Sequence, residues 1–205
     1  MHFSYDKEVN FRTGVLALAL ALPVRCVDAP NTVTVQRMLT LFDHLRQAEF
    51  ARAEGRPASR VKFDLPQGEV NTYLAETLRT TPRPGFKSMT VKFFPANYIS
   101  SFTLVDFDEV ERARPGLIPK LLRTVLTGQK TVWIDIRFRV LDGKVTFDVE
   151  KALFQNTPIP AVVVQKVIEV VASRQPEHYD TSKPIPLPFG LRTLSTQAGL
   201  ISGEN

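Results

Sequence analysis

Apolar side chains recur at three- and four-residue intervals early in the chain and alternate with polar ones through much of the rest. Met38, Leu41, Phe42 and Leu45 predict a helix over Thr32–Glu54, ended by Gly55-Arg56-Pro57. Val61–Leu65 alternates and reads as a strand. A second helix runs from Gln67 to Arg79, with Val70, Tyr73, Leu74, Thr77 and Leu78 on one face and Glu69, Thr72, Glu76 and Arg79 on the other. After the rigid loop Thr81–Gly85, strands are expected at Phe86–Phe94 and Tyr98–Asp108. The latter is apolar on both sides, with Phe102 and Leu104 facing one way and Val105 and Phe107 the other. Such a strand is buried on both faces or lines a cavity. A short helix is expected at Gly116–Leu126.

Lys130–Leu141 and Lys144–Phe154 carry the strongest hairpin signal. Asp142-Gly143 suits a type I′ turn, whose central residues both need positive φ. Val132, Ile134, Ile136, Phe138 and Val140 share the inward face with Val145, Phe147 and Val149. The cover expected for it is a helix over Ile159–Ser173. Its polar residues Gln165, Lys166, Glu169 and Ser173 gather in one sector. Its valines and Ile168 spread over more than the ~100° stripe of a surface helix. Most are β-branched and disfavour an isolated helix, so tertiary packing must hold it. Pro184–Pro188 and Leu191–Ile201 read as extended edge segments.

These elements make an α+β protein. At 205 residues and 43% hydrophobic composition, one domain with a proper core is expected. Formal net charge is +5 and the pI about 9.5, but the basic residues are scattered among acids without interleaved aromatic runs. That argues against nucleic acid and leaves an anionic membrane surface as the partner for positive charge. Cys26 is the one cysteine, which excludes an internal disulfide and a multi-cysteine metal site.

Gly14–Val24 is too short to span a bilayer and has the length of a signal-peptide hydrophobic region, with Arg12 before it. The expectation is a signal at 1–29 and export to the periplasm or envelope. A buried first helix or strand is the alternative. Asp6 and Glu8 are unusual in a signal's start, and one explanation is translation from Val9. The remainder divides into an N-terminal helical segment, 30–57, and a domain over 58–205.

Catalytic chemistry finds no candidate set. There is no phosphate loop or nucleophile elbow. His44 falls among polar helix positions, and Glu177-His178-Tyr179-Asp180 lacks helical metal-ligand spacing. Asp106 and Asp108 at a strand end more simply cap the next helix or face water. Asp135 and Asp148 on the hairpin's polar face are expected to pair with Arg137 or lysines in solvent. No cofactor, metal or enzymatic activity is expected.

Several segments together resemble small bacterial envelope proteins related to the tubular lipid-binding (TULIP-like) superfamily. They are the Val61–Leu74 stretch containing Glu69-Val70-Asn71-x-Tyr73-Leu74, Met89–Phe107, the Asp142-Gly143 hairpin, Thr157–Pro160 before the Val-rich stretch, and Pro186–Phe189. The resemblance covers about Val61–Ile201. It implies a strongly bent antiparallel sheet wrapped around a long apolar helix, with lipid or another hydrophobic molecule in the groove between. On that reading Leu74, Leu78, Val91 and Phe93 line the groove with Phe102, Leu104, Ile134 and Ile136. Phe147 and the helix residues Val163, Val167 and Val171 complete it. The alternative is an envelope protein whose groove is filled by side chains and whose role is to bind a protein partner, for instance at a strand edge near Leu191–Ile201.

Overall fold

The computed structural model describes residues 33–116, 118, 123–160, 164 and 183–205. The expected signal segment lies outside them, as does nearly all of the Val-rich stretch, including Val163, Val167 and Val171. Helix α1 spans Val33–Ala53 and buries Val35, Met38, Phe42, Leu45, Ala48 and Ala51, a stripe at helical spacing. Strand β1 (Lys62–Pro66) follows, then helix α2 (Gln67–Thr80), which buries Val70, Tyr73, Leu74 and Thr77. Strands β2 (Phe86–Phe94) and β3 (Tyr98–Asp106) form a hairpin. Helix α3 (Phe107–Ala113) precedes the long pair β4 (Gln129–Leu141) and β5 (Lys144–Phe154). Short strands β6 (Thr157–Pro158) and β7 (Ile185–Pro186), a 3₁₀ turn at Pro188–Gly190, and a last hairpin of β8 (Thr193–Gln197) and β9 (Leu200–Glu204) complete the chain.

Two antiparallel sheets result. The smaller has the order β1-β9-β8, and the larger β2-β3-β4-β5-β6, with β7 also paired to β5. Pairing of Lys62 with Glu204 through Pro66 with Leu200 joins the start of this α+β unit to its end. Gly203 is needed there for space: a Cβ would lie 2.5 Å from the Phe63 ring. The core gathers α1, α2 and both sheets. Met38, Phe42, Leu45, Tyr73, Phe93, Phe138, Val145, Leu187, Leu194 and Ile201 belong to one buried cluster. Phe42 anchors it, edge-on to Tyr73 and stacked on Phe189.

Several sequence expectations change. Strand β3 stops at Asp106, so Phe107 begins a helix and does not continue the strand. The cause is Asp106 itself, whose carboxylate accepts the Glu109 N–H at 3.2 Å as an N-cap. In the expected helix over Gly116–Leu126, the described residues 123–125 form turns, and 117 and 119–122 lie outside the described residues. Leu191–Ile201 is the β8–β9 hairpin, with β9 central in its sheet. The edge of β8 is partly closed, because the Thr196 N–H donates to Asn97 Oδ1 at 3.0 Å and its hydroxyl donates to the Phe94 carbonyl at 2.7 Å.

The Asp142-Gly143 turn forms as expected, with φ of 51° and 69° and Leu141 paired to Lys144. Nothing in the alternation announces the bulge farther along. Asp135 pairs with Lys151 but Ile136 with Val149, so Glu150 has no opposite number. The inward set on β5 therefore changes from Val145, Phe147 and Val149 to Ala152 and Phe154.

Candidate functional site

Cross-strand register decides which side chains can share a surface, since directly opposed residues of an antiparallel pair project to the same face. Val91 opposes Ser101, which opposes Ile134, which opposes Ala152. Phe93 is joined to Val149 in the same way through Ile99 and Ile136. This is the inner face, toward the helices.

The inner face has two ends. Near the Asp142-Gly143 turn, and along β2 under α2, it is closed by the main core, where Val91, Phe93, Ile136 and Phe138 are each 5% exposed or less. Leu74 is there too, from α2, and Leu78 is half-buried one turn on. At the far end, and along β5 opposite the buried Ile136 and Phe138, a second cluster forms around Ala152 and Val164, with Ile134, Phe147, Val149 and Ile159 only partly buried against it. Val164 reaches this patch one helical turn after Pro160, whose carbonyl accepts its N–H at 3.3 Å. Phe107 and Phe154 meet at the rim with centroids 5.9 Å apart.

The register thus divides the expected groove lining. Val91, Phe93, Ile134, Ile136 and Phe147 do lie on one face, with Leu74 packed over its closed end. Phe102 and Leu104 do not. They oppose Thr90 and Ser88 on β2 and Trp133 and Thr131 on β4, on the outer face, where Phe102 is 40% exposed. The two-sided strand was read correctly in its alternation, but its second apolar side is an open sheet face.

The outer face holds the polar feature that sequence reasoning misplaced. Asp135 was expected in solvent beside Arg137 and is 6% exposed. The Trp133 indole N–H donates to it at 2.7 Å, and the Tyr98 hydroxyl lies beside it. Burial, and then that carboxylate, push the Tyr98 pKa up to about 12. The signal available in sequence was Trp133-x-Asp135, which puts an indole donor and an acceptor on the same side of one strand. Asp148 is in solvent as expected, but its partner is Arg139 at 2.9 Å, since Arg137 is taken by Glu150.

The motif Glu69-Val70-Asn71 has a structural task. Asn71 donates to the Val91 carbonyl at 3.0 Å and accepts the Val91 N–H at 2.8 Å. Gln67 accepts the Phe93 N–H at 3.0 Å, and the Gly199 N–H donates to the Phe93 carbonyl at 3.0 Å. Helix side chains thereby satisfy the edge of β2, where a further strand would otherwise pair. Glu69 meets Arg37 of α1 at 2.7 Å.

An open cleft of about 660 Å³ lies at the hairpin tip, lined by residues that include Asn97, Leu141, Asp142, Arg192 and Thr193. Its charged groups, Asp142 and Arg192, supply no nucleophile with a base beside it. Among the described residues no group of His, Cys, Asp and Glu could hold a metal ion, and no helix is long and apolar enough to cross a membrane. No protein-family model matches the chain, and no curated protein matches it.

Proposed function

We propose that this chain binds an apolar molecule of acyl-chain character against the far end of the inner sheet face, as an exported envelope protein without catalytic activity. The observation that carries the reading is an apolar face that is only half-buried at its far end. Ile134 and Val149 are half-buried there, whereas Phe138 and Val145, nearer the turn, are 1–2% exposed. Ligand sites are lined mostly by apolar side chains with few polar groups, as this patch is. The apolar length of Gly14–Val24 and the resemblance to tubular lipid-binding proteins support the same reading.

Native mass spectrometry of the full chain, purified from a membrane-containing host, tests it. Lipid adducts are expected on the unaltered chain and should disappear in Ala152→Trp, which fills the patch. An unaltered chain that carries no adduct and gains no thermal stability from added fatty acid or phospholipid refutes the reading. A second reading, a partner-binding protein with a filled interior, is favoured by one observation: Leu74, Val91, Phe93 and Ile136 are already packed among protein atoms. It predicts a bare chain in the same spectrum and recovery of another envelope protein on crosslinking.

A further inference from the structure

The outer face of the large sheet reads as three cross-strand rows. Phe94, Tyr98, Arg137 and Asp148 form one. Lys92, Ser100, Asp135 and Lys151 form the next, and Thr90, Phe102, Trp133 and Leu153 the third. Ser100 and Asp135, in the middle of the middle row, are each 6% exposed. The rings bury them. Trp133 from one side donates to Asp135, and Tyr98 from the other lies beside it. Phe102 sits edge-on to Trp133, centroids 6.2 Å apart, and Phe94 edge-on to Tyr98 at 5.5 Å. Arg137 lies over the Tyr98 ring at 5.4 Å and pairs with Glu150.

An aromatic surface results whose orientation is fixed from beneath. Phe94 and Phe102 remain 40% exposed on it. Lys92 and Lys151, at the two ends of the middle row, are exposed, and neither has an ion-pair partner among the described residues. They stand three inter-strand steps apart, about 14 Å, too far for one small anion to bridge. Phenyl rings that water covers poorly, an indole and a phenol with polar tips, and separated ammonium groups suit one environment. It is the boundary of an anionic bilayer, where rings enter the acyl margin and lysines reach separate phosphates.

We propose that the outer face of β2–β5 is a docking surface for anionic phospholipid membrane, with Phe94 and Phe102 entering the interface and Lys92 and Lys151 contacting lipid phosphate. This is independent of the ligand reading, which concerns the opposite face of the same sheet.

Trp133 is the one tryptophan in the chain, so its emission reports this face alone. The full chain is titrated with vesicles of phosphatidylcholine, with and without phosphatidylglycerol. Binding and a blue shift are expected only with phosphatidylglycerol, weakened by salt. Each of Lys92→Gln and Lys151→Gln should reduce partitioning about fivefold, with recovery in Lys→Arg. Phe94→Ser with Phe102→Ser should abolish the shift while circular dichroism stays unchanged. Ala152→Trp, on the inner face, should leave vesicle binding intact whatever it does to ligand. Equal binding to uncharged vesicles overturns the proposal. So does binding that survives both the lysine and phenylalanine variants, or a Trp133 response to soluble glycan in place of vesicles.

Discussion

The two ends of the inner sheet face are built from the same residue types and are covered differently. Near the hairpin turn, Phe138 and Val145 disappear under α1, α2 and the small sheet. Farther from that turn, the same strands carry Ile134 and Val149, both half-buried, into a second cluster with Val164. Alternation along a strand sets which face is apolar. It carries no information about how much protein is stacked on that face. A direct way to break the comparison is to truncate one residue at each end. Phe138→Ala should destabilise by about 3–5 kcal/mol, and half-buried Ile134→Ala by about 1 kcal/mol. Denaturant midpoints measure both. Equal losses would mean that the far end is as well packed as the near end and has no surplus surface for a ligand.

The near end is also closed laterally, and this gives the next largest effect. Asn71→Ala removes both partners of the Val91 backbone and leaves a buried N–H and C=O to find water, at a cost of about 2–3 kcal/mol. Asn71→Asp keeps the acceptor and loses the donor, so it should fall between the two. If Asn71→Ala unfolds at the wild-type midpoint, β2 does not need its helix for edge protection. Native-state hydrogen exchange at Val91 and Phe93 is the sharper measurement, since their amides should exchange first in the variant.

Much of this arrangement was legible beforehand, for local reasons. The helices α1 and α2 announce themselves by Met38–Phe42–Leu45 and Val70–Tyr73–Leu74, because helical spacing alone selects their buried faces. Asp142-Gly143 fixes the long hairpin because few other residue pairs accept two positive φ values. Illegible were features set by a partner distant in sequence. The Glu150 bulge depends on how β5 meets β4. The separation of Phe102 from Phe93 depends on register, which composition does not encode. Asp135 looked like any surface acid because Tyr98, one of its partners, lies on another strand. The expected apolar helix and its valines lie outside the described residues, and among the described residues Val164 and Ile159 are what packs over the far end.

At the rim of the far end a smaller effect tests how β3 is stopped. Asp106→Ala removes the cap on the Glu109 N–H and should cost about 1 kcal/mol. Asp106→Asn should recover most of it, since an amide oxygen can accept the same bond. A loss confined to α3 leaves Phe107 and Phe154 disordered together, visible as faster exchange at both. An unchanged Asp106→Ala variant would mean that contacts from Phe107 end the strand without help from the cap.

The smallest effect separates the sheet's two faces by pH. On the inner face nothing described titrates among the apolar residues. On the outer face Tyr98 does, with a native pKa of about 12 against an ordinary 10.0. Below pH 10 both folded and unfolded chains keep the proton, and the Tyr98 contribution is complete. Between pH 10 and 12 the unfolded chain has released its proton and the native one has not. The unfolded state then binds fewer protons, so stability falls as pH rises. Tyr98 is partly exposed, and solvent screening should keep the loss well under ~1 kcal/mol. Subtracting Tyr98→Phe from wild type cancels the lysines and Tyr73, which titrate in both. The difference in denaturant midpoint should be constant up to pH 10 and shrink above it. A difference that stays constant through pH 11 would mean that Tyr98 is neither buried nor held beside Asp135 in solution, and the outer face would lose a support that orients its rings.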